Sequence, residues 1–271
     1  KTAEQINIDY NLGYNYFKLK NYTEAINYFT KYVSDSNAQE TQKKDAYVRL
    51  GDNYFVSSQY WPALESYNSA IDLGTIDKDY AHFQKSISYG FVDRIPQKIE
   101  GLKNFEIKFP KSMYRDDALY ELGNTYVSKE NNNEAIASYN KLIRDLPNSS
   151  YVAKALLKKA LILENTGKSN EALTIFKRVA NDFPSSEEAL QAVASAKIIY
   201  IDQGRVSEYA EWINRLDFVD VENSEIDDAT YQAAEQSYLE NKSSQAVTRF
   251  QGYLEQFPNG KHALKTNFYL A

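Results

Sequence analysis

The chain has 271 residues, is 43% hydrophobic and 25% charged, and carries a net charge of −6. That composition supports a buried core rather than disorder, and its acidity leaves no electrostatic footprint for nucleic acid. The lack of cysteine rules out disulfides, thiolate metal sites and cysteine nucleophiles.

No apolar run approaches the ~18 residues of a membrane span, and the start at Lys1 has no signal-peptide pattern. Charge is unevenly spread: residues 185–271 hold 7 basic and 14 acidic side chains, net −7. An acidic third of this kind either meets a basic partner or is a solvated surface.

A period runs through the sequence. Pro110, Pro147 and Pro184 lie 37 residues apart; Val221 interrupts the series and Pro258 restores it. A fixed spacing of this length predicts a repeat array. The units fall at 6–37, 44–75, 79–110, 116–147, 153–184, 190–221 and 227–258, with a partial eighth at 261–271, so the chain reads as one array over 1–271. Each unit divides into two helices with apolar residues at i, i+3, i+4 and i+7. The first pair places Gly13 in its first helix, then Ala25 and Phe29 in its second. The next carries Gly51, Ala63 and Tyr67. The third departs from the pattern, with Ser86 and Lys98 at the small positions. The fourth returns to it with Gly123, Ala135 and Tyr139, and the fifth has Ala160, Ala172 and Phe176. In the sixth, Lys197 and Tyr209 again replace small residues, and the seventh has Ala234, Ala246 and Phe250. Small residues let paired helices approach, and the ring one turn on fills the next gap. Wider helix spacing is therefore expected in the third and sixth units.

Proline ends each second helix, because it lacks the amide hydrogen and restricts the residue before it. Ser112, Ser149 and Ser186 follow two residues later and are expected to cap the next helix. The eighth first helix has no second helix within the sequence, which leads us to expect a longer native protein.

The stretches "YVRLGDNYF…ALESYNSAI" from Tyr47 and "LYELGNTYV…AIASYNKLIRDLP" from Leu119 resemble the tetratricopeptide repeat: Leu-Gly then an aromatic in the first helix, Ala then an aromatic in the second, and a closing proline. The resemblance covers essentially the whole chain. It implies an all-α, right-handed solenoid of antiparallel helix pairs. The 37-residue period and the "FP-x-S" restarts are similar to the Gram-negative cell-envelope subset of BamD and Tol–Pal coordinator type. That likeness implies a periplasmic or outer-membrane-associated protein within a larger envelope complex, with the cytoplasm as the alternative location.

The family's groove-facing positions, carried onto this chain, give Tyr10, Tyr14 and Phe17, then Val48, Asp52 and Phe55. The third unit adds Tyr80, Phe83, Ile87 and Phe91, and the fourth Asp117, Tyr120, Asn124 and Val127. The resemblance thus implies a partner-binding groove for a protein or peptide segment. Aromatics with polar tips also suit stacking on sugars, so a carbohydrate-binding or nutrient-uptake accessory is the alternative. The opposing reading is that rings at helical spacing are core. The family's two-carboxylate clamp is not expected, because Asn124 stands with Tyr120 and Asp117 where basic residues are needed.

Little points to chemistry. His82 and His262 have no nearby metal-ligating partner in sequence, and no Gly-rich phosphate loop or nucleophile elbow is present. Six carboxylates crowd residues 217–228, but they lack the alternate spacing and central glycine of a calcium loop. The expectation is a non-enzymatic scaffold without metal or cofactor. The sequons at Asn21, Asn148 and Asn241 carry no weight in a bacterial setting.

Overall fold

The computed structural model describes residues 3–219 and 223–271, over which it holds fifteen α-helices and no strand. They form seven antiparallel pairs and one unpaired helix: α1 (Ala3–Lys18) with α2 (Tyr22–Val33), α3 (Glu40–Val56) with α4 (Tyr60–Asp72), α5 (Lys78–Phe91) with α6 (Ile95–Lys108), α7 (Arg115–Val127) with α8 (Asn132–Asp145), α9 (Val152–Asn165) with α10 (Ser169–Asp182), α11 (Glu187–Asp202) with α12 (Val206–Ile213), α13 (Asn223–Leu239) with α14 (Ser243–Gln256), and α15 (Ala263–Leu270). Val221, the interruption in the proline series, and the acidic Asp220 and Glu222 lie outside the described residues. The chain divides into two compact units, Lys1–Leu142 and Ile143–Ala271. The division falls in the last turn of α8, inside a helix.

In the first, second and fourth pairs the glycine of the first helix meets the ring of the second. A Cβ on Gly13 would lie 2.8 Å from the Phe29 ring, and one on Gly123 would lie 2.8 Å from two atoms of Tyr139 and closer still to a third. The nearest contact is thus glycine under ring, and the alanines Ala25, Ala63, Ala135 and Ala172 are wholly buried one turn before it. The third pair corrects the expectation of wider spacing. There the small residue has moved to the second helix: a Cβ on Gly101 would lie 3.0 Å from the Ser86 Cβ and closer to its hydroxyl. Gly90 likewise makes room for the Lys98 stem, whose ammonium reaches Glu121 at 2.9 Å. Close packing survives because two glycines offset the two larger residues. In the sixth pair Tyr209 is buried with Tyr200 and Trp212, at ring separations of 5.9 and 6.3 Å, and Lys197 pairs with Glu225 at 2.5 Å.

The turns inside the pairs repeat one geometry. Lys20, Ser58, Asp93, Glu130 and Asn241 adopt left-handed backbone with φ of 56–59°, and Gly167 and Gly204 take the same place at 77° and 67°. In each, the next amide donates back into the ending helix, as Asn131 N does to Tyr126 O at 2.9 Å and Lys168 N to Leu163 O at 2.8 Å. These are Schellman closures, which glycine normally serves because a Cβ strains the left-handed conformation. Gly167 and Gly204 are the two closures of this set that glycine serves.

The serine restarts divide into two kinds. Ser186 caps α11 by accepting from Ala189 N at 3.2 Å. Ser112 and Ser149 instead accept from Tyr114 N and Tyr151 N, both at 3.1 Å, one residue before their helices begin. They shape the entry turn, and tyrosine occupies the cap position.

Candidate partner-binding surface

In the first compact unit the first helices α1, α3, α5 and α7 carry the residues expected to face a groove. On α3, Asp45, Arg49 and Asp52 recur at i, i+4 and i+7, one helical face. Arg49 Nη1 donates to Asp52 Oδ2 at 2.8 Å and Nη2 approaches Asp45 Oδ1 at 3.4 Å. Tyrosines from the flanking repeats, with Tyr67 of the same repeat, close on these carboxylates. The Tyr10 hydroxyl donates to Asp45 Oδ2 at 2.8 Å, and the Tyr14 hydroxyl donates to the same oxygen while accepting from Arg49 Nε at 3.2 Å. The Tyr67 and Tyr80 hydroxyls donate to Asp52 Oδ1 at 2.9 and 2.8 Å.

This arrangement shifts acidities in a consistent direction. Burial raises the Tyr10, Tyr14 and Tyr80 hydroxyls above their usual range, and the carboxylates they bond to add to the shift. Burial also raises the Asp52 carboxyl, while Tyr80, Arg49 and Tyr67 oppose it. A buried carboxylate costs free energy unless it is paired and hydrogen-bonded, and here three donors serve it.

The expected groove residues therefore separate. Val48 is fully buried and Phe83 is 9% exposed; both are core, which corrects their placement on an open surface. Phe83 packs in parallel with Tyr114 at 5.8 Å and against Phe105 at 6.0 Å. Asp52, buried, serves as a brace. Tyr10, Tyr14 and Tyr80 are half-buried with their hydroxyls engaged. Half-buried Phe17 lies 6.4 Å from Tyr22, and half-buried Tyr120 6.1 Å from Tyr139.

A second cluster stays accessible. Phe91 is 55% exposed, stacks on Tyr60 at 4.4 Å and meets Phe55 edge-on at 5.3 Å. Beside it Ile87, Phe91, Ile95, Lys98 and Asn124 line a notch of about 320 Å³. The Asn124 side-chain oxygen accepts from the Tyr139 hydroxyl at 2.8 Å. Trp61 is half exposed with the Arg94 guanidinium 5.9 Å from its ring.

Asp45 and Arg49, which organise this face, escape a reading that looks only for aromatic positions. Their signal was the i, i+4, i+7 alternation of charge. The acidic stretch is absorbed structurally where it is described: Asp227 accepts from the Tyr253 hydroxyl at 2.6 Å and Lys261 N at 2.8 Å, and Asp228 meets His262 at 2.6 Å. Among the described residues no group of three or more His, Asp or Glu side chains is arranged to hold a metal ion, and no helix is long and apolar enough to cross a membrane.

A family model described as the N-terminal TPR repeats region of Psidin matches residues 124–238, and one described as tetratricopeptide repeat matches residues 10–34. No curated protein matches the chain. A tetratricopeptide repeat protein from Parabacteroides merdae is 15% identical, with a TM-score of 0.59 over 99% of this chain and 98% of that one. The C-terminal part of a TPR repeat-containing protein from Cytophaga hutchinsonii is 18% identical, with a TM-score of 0.60 over 95% and 98%. YrrB, described as a TPR protein with an unusual peptide-binding site, is 16% identical, with a TM-score of 0.52 over 68% and 89%. At such identities these likenesses show the shared fold alone. With the repeat spacing, the helix pairs and the two family matches together, the chain belongs to the tetratricopeptide-repeat family.

Proposed function

We propose that the chain is a non-catalytic scaffold that holds a segment of a partner protein on the first-helix face of residues 10–124. The observation that carries this reading is the accessible cluster of Phe55, Tyr60 and Phe91 beside a notch bearing the amide of Asn124. Aromatic side chains of this kind supply contact area at low entropic cost and dominate binding hot spots. The tyrosine–aspartate–arginine brace next to them fixes the backbone that presents them. The proposed setting is the bacterial cell envelope, periplasmic or outer-membrane associated, on the strength of the 37-residue period and the "FP-x-S" restarts. Carbohydrate binding is the second reading, favoured by the exposed Trp61 ring.

Photo-cross-linking tests the first reading. A photoreactive residue at position 91 should capture a defined partner in envelope extract, and the same residue at Ile107, exposed on α6, should not. Capture should fall when Phe55→Ala is added. Equal capture at both positions would overturn the proposal. Saturable binding of glycans that is lost with Trp61→Ala would favour the second reading.

A further inference from the structure

The second compact unit holds a cation, Arg249, for which the described residues supply no counter-charge. Arg249 lies on α14, and its Nη1 donates to Ala233 O at 3.0 Å and to Ser237 Oγ at 2.6 Å, both on α13. Gly204 lies against the guanidinium: a Cβ there would crowd Nη2, Cζ and Nε almost equally. Those three atoms, and not Nη1, are the nearest, so Gly204 stands above the guanidinium plane on its Nε/Nη2 side, where any side chain would cover that edge. That edge carries the parallel pair of N–H groups that grips an oxyanion in two-point fashion. No acceptor for it is found among the described residues.

A cavity of about 170 Å³ adjoins this head, and Arg249 is the charged residue in its lining, which otherwise includes Gly204, Ser207, Thr230, Gly252 and Gln256. No carboxylate of the described residues lines it. Glu240, which senses Arg249, is already bound by Lys242 at 2.7 Å. The Thr230 hydroxyl is spent on Ile226 O at 2.7 Å. The wall at Val206 and Ser207 is the first turn of α12, whose amides also favour negative charge. Within residues 185–271, net −7, a pocket with a lone positive charge is electrostatically the opposite of its surroundings.

We propose that the Arg249 pocket binds a compact oxyanion, a carboxylate or phosphate group presented by a partner protein. The site lies wholly in the second compact unit and stands independently of the first-helix face described above. It gives a reason for Gly204 beyond the turn: any side chain there would push the guanidinium off its seat.

The test is a titration of ¹⁵N-labelled protein with sodium phosphate, and separately with sodium acetate, against sodium chloride at matched ionic strength. We expect a saturable shift of the Arg249 Nε–H resonance with at least one oxyanion and none with chloride. The tighter of the two identifies the group. Arg249→Lys keeps the charge but loses the two-point grip, and affinity should fall at least tenfold. Because Arg249 also ties α14 to α13, Gly252→Glu gives a second route. Nothing lies within 4 Å of a Cβ at Gly252, so this variant should fold normally while its carboxylate occupies the pocket mouth and blocks the titration. No saturable shift with either oxyanion, or an unchanged shift in folded Gly252→Glu, would overturn the proposal.

Discussion

Replacing Gly123 by alanine should destabilise the fourth helix pair, although alanine is the better helix former. An added Cβ would lie 2.8 Å from Cδ1 and Cζ of Tyr139 and nearer still to Cε1. Ordinary contact begins at 3.4 Å, so α7 and the ring must part by about 0.6 Å or more. Tyr139 cannot simply withdraw, because it is fully buried and its hydroxyl donates to Asn124 Oδ1 at 2.8 Å. Overpacking costs about 1–3 kcal/mol, and losing the hydrogen bond adds about 1 kcal/mol. Alanine returns about 1 kcal/mol of helix propensity. The net expectation is a loss of about 1–3 kcal/mol. Gly252→Ala is the matched control: it lies within α14 with open space around it, and should gain up to about 1 kcal/mol. Urea unfolding followed by circular dichroism gives both values, and amide exchange locates the loss on α7 and α8. A Gly123→Ala protein as stable as the parent, or a matching loss in Gly252→Ala, would refute the glycine-under-ring account.

Phe55→Ala with Phe91→Ala should weaken partner capture and change melting little, whereas Tyr14→Ala should cost about 2–4 kcal/mol, because that ring packs on Phe29 at 5.4 Å and its hydroxyl is bonded to Asp45; thermal melts of both variants distinguish them. Ala135→Trp should cost about 1–3 kcal/mol at a wholly buried site, with exchange protection lost first on α7 and α8. Glu130→Gly should raise stability by up to about 1 kcal/mol, since Glu130 holds a φ of 59° that glycine adopts without strain, and a chemical melt measures it. Above pH 10 stability should fall: burial raises the hydroxyls of Tyr209, Tyr231 and Tyr253 from 10.0 to about 12, so the folded state keeps protons that the unfolded state releases. Each tyrosine then removes up to about 1.4 kcal/mol per pH unit between those values. A late component of the tyrosinate absorbance should therefore coincide with unfolding; a tyrosine titration that is complete before helicity is lost would contradict the burial of these rings.

The repeat borders were readable because proline spacing and helical periodicity are local properties. Every described helix falls within an expected unit to within a few residues. What escaped depends on pairs distant in sequence. The places of Gly90 and Gly101 are set by Lys98 and Ser86, which pack against them from the partner helix. Val48 and Phe83 share helical spacing with accessible residues, yet neighbouring helices bury them. The left-handed turns at Lys20, Ser58, Asp93 and Glu130 carry no glycine to announce them. Asp45 and Arg49 are ordinary surface residues on a helical wheel, and tyrosines 31 and 35 positions away give them their role.

Three of those tyrosine–aspartate bonds run between repeats, and only that of Tyr67 stays within one. Tyr10 and Tyr14 of α1 grip Asp45 of α3, and Tyr80 of α5 grips Asp52 of the same helix. In a repeat protein held only by nearest-neighbour packing, the ends fray one unit at a time. Here α3 is clamped from both sides through a single pair of carboxylates, so the first three repeats should open as one cooperative block. A segment docking beside that block meets a surface already ordered, and the association loses less conformational entropy than it would on a fraying array.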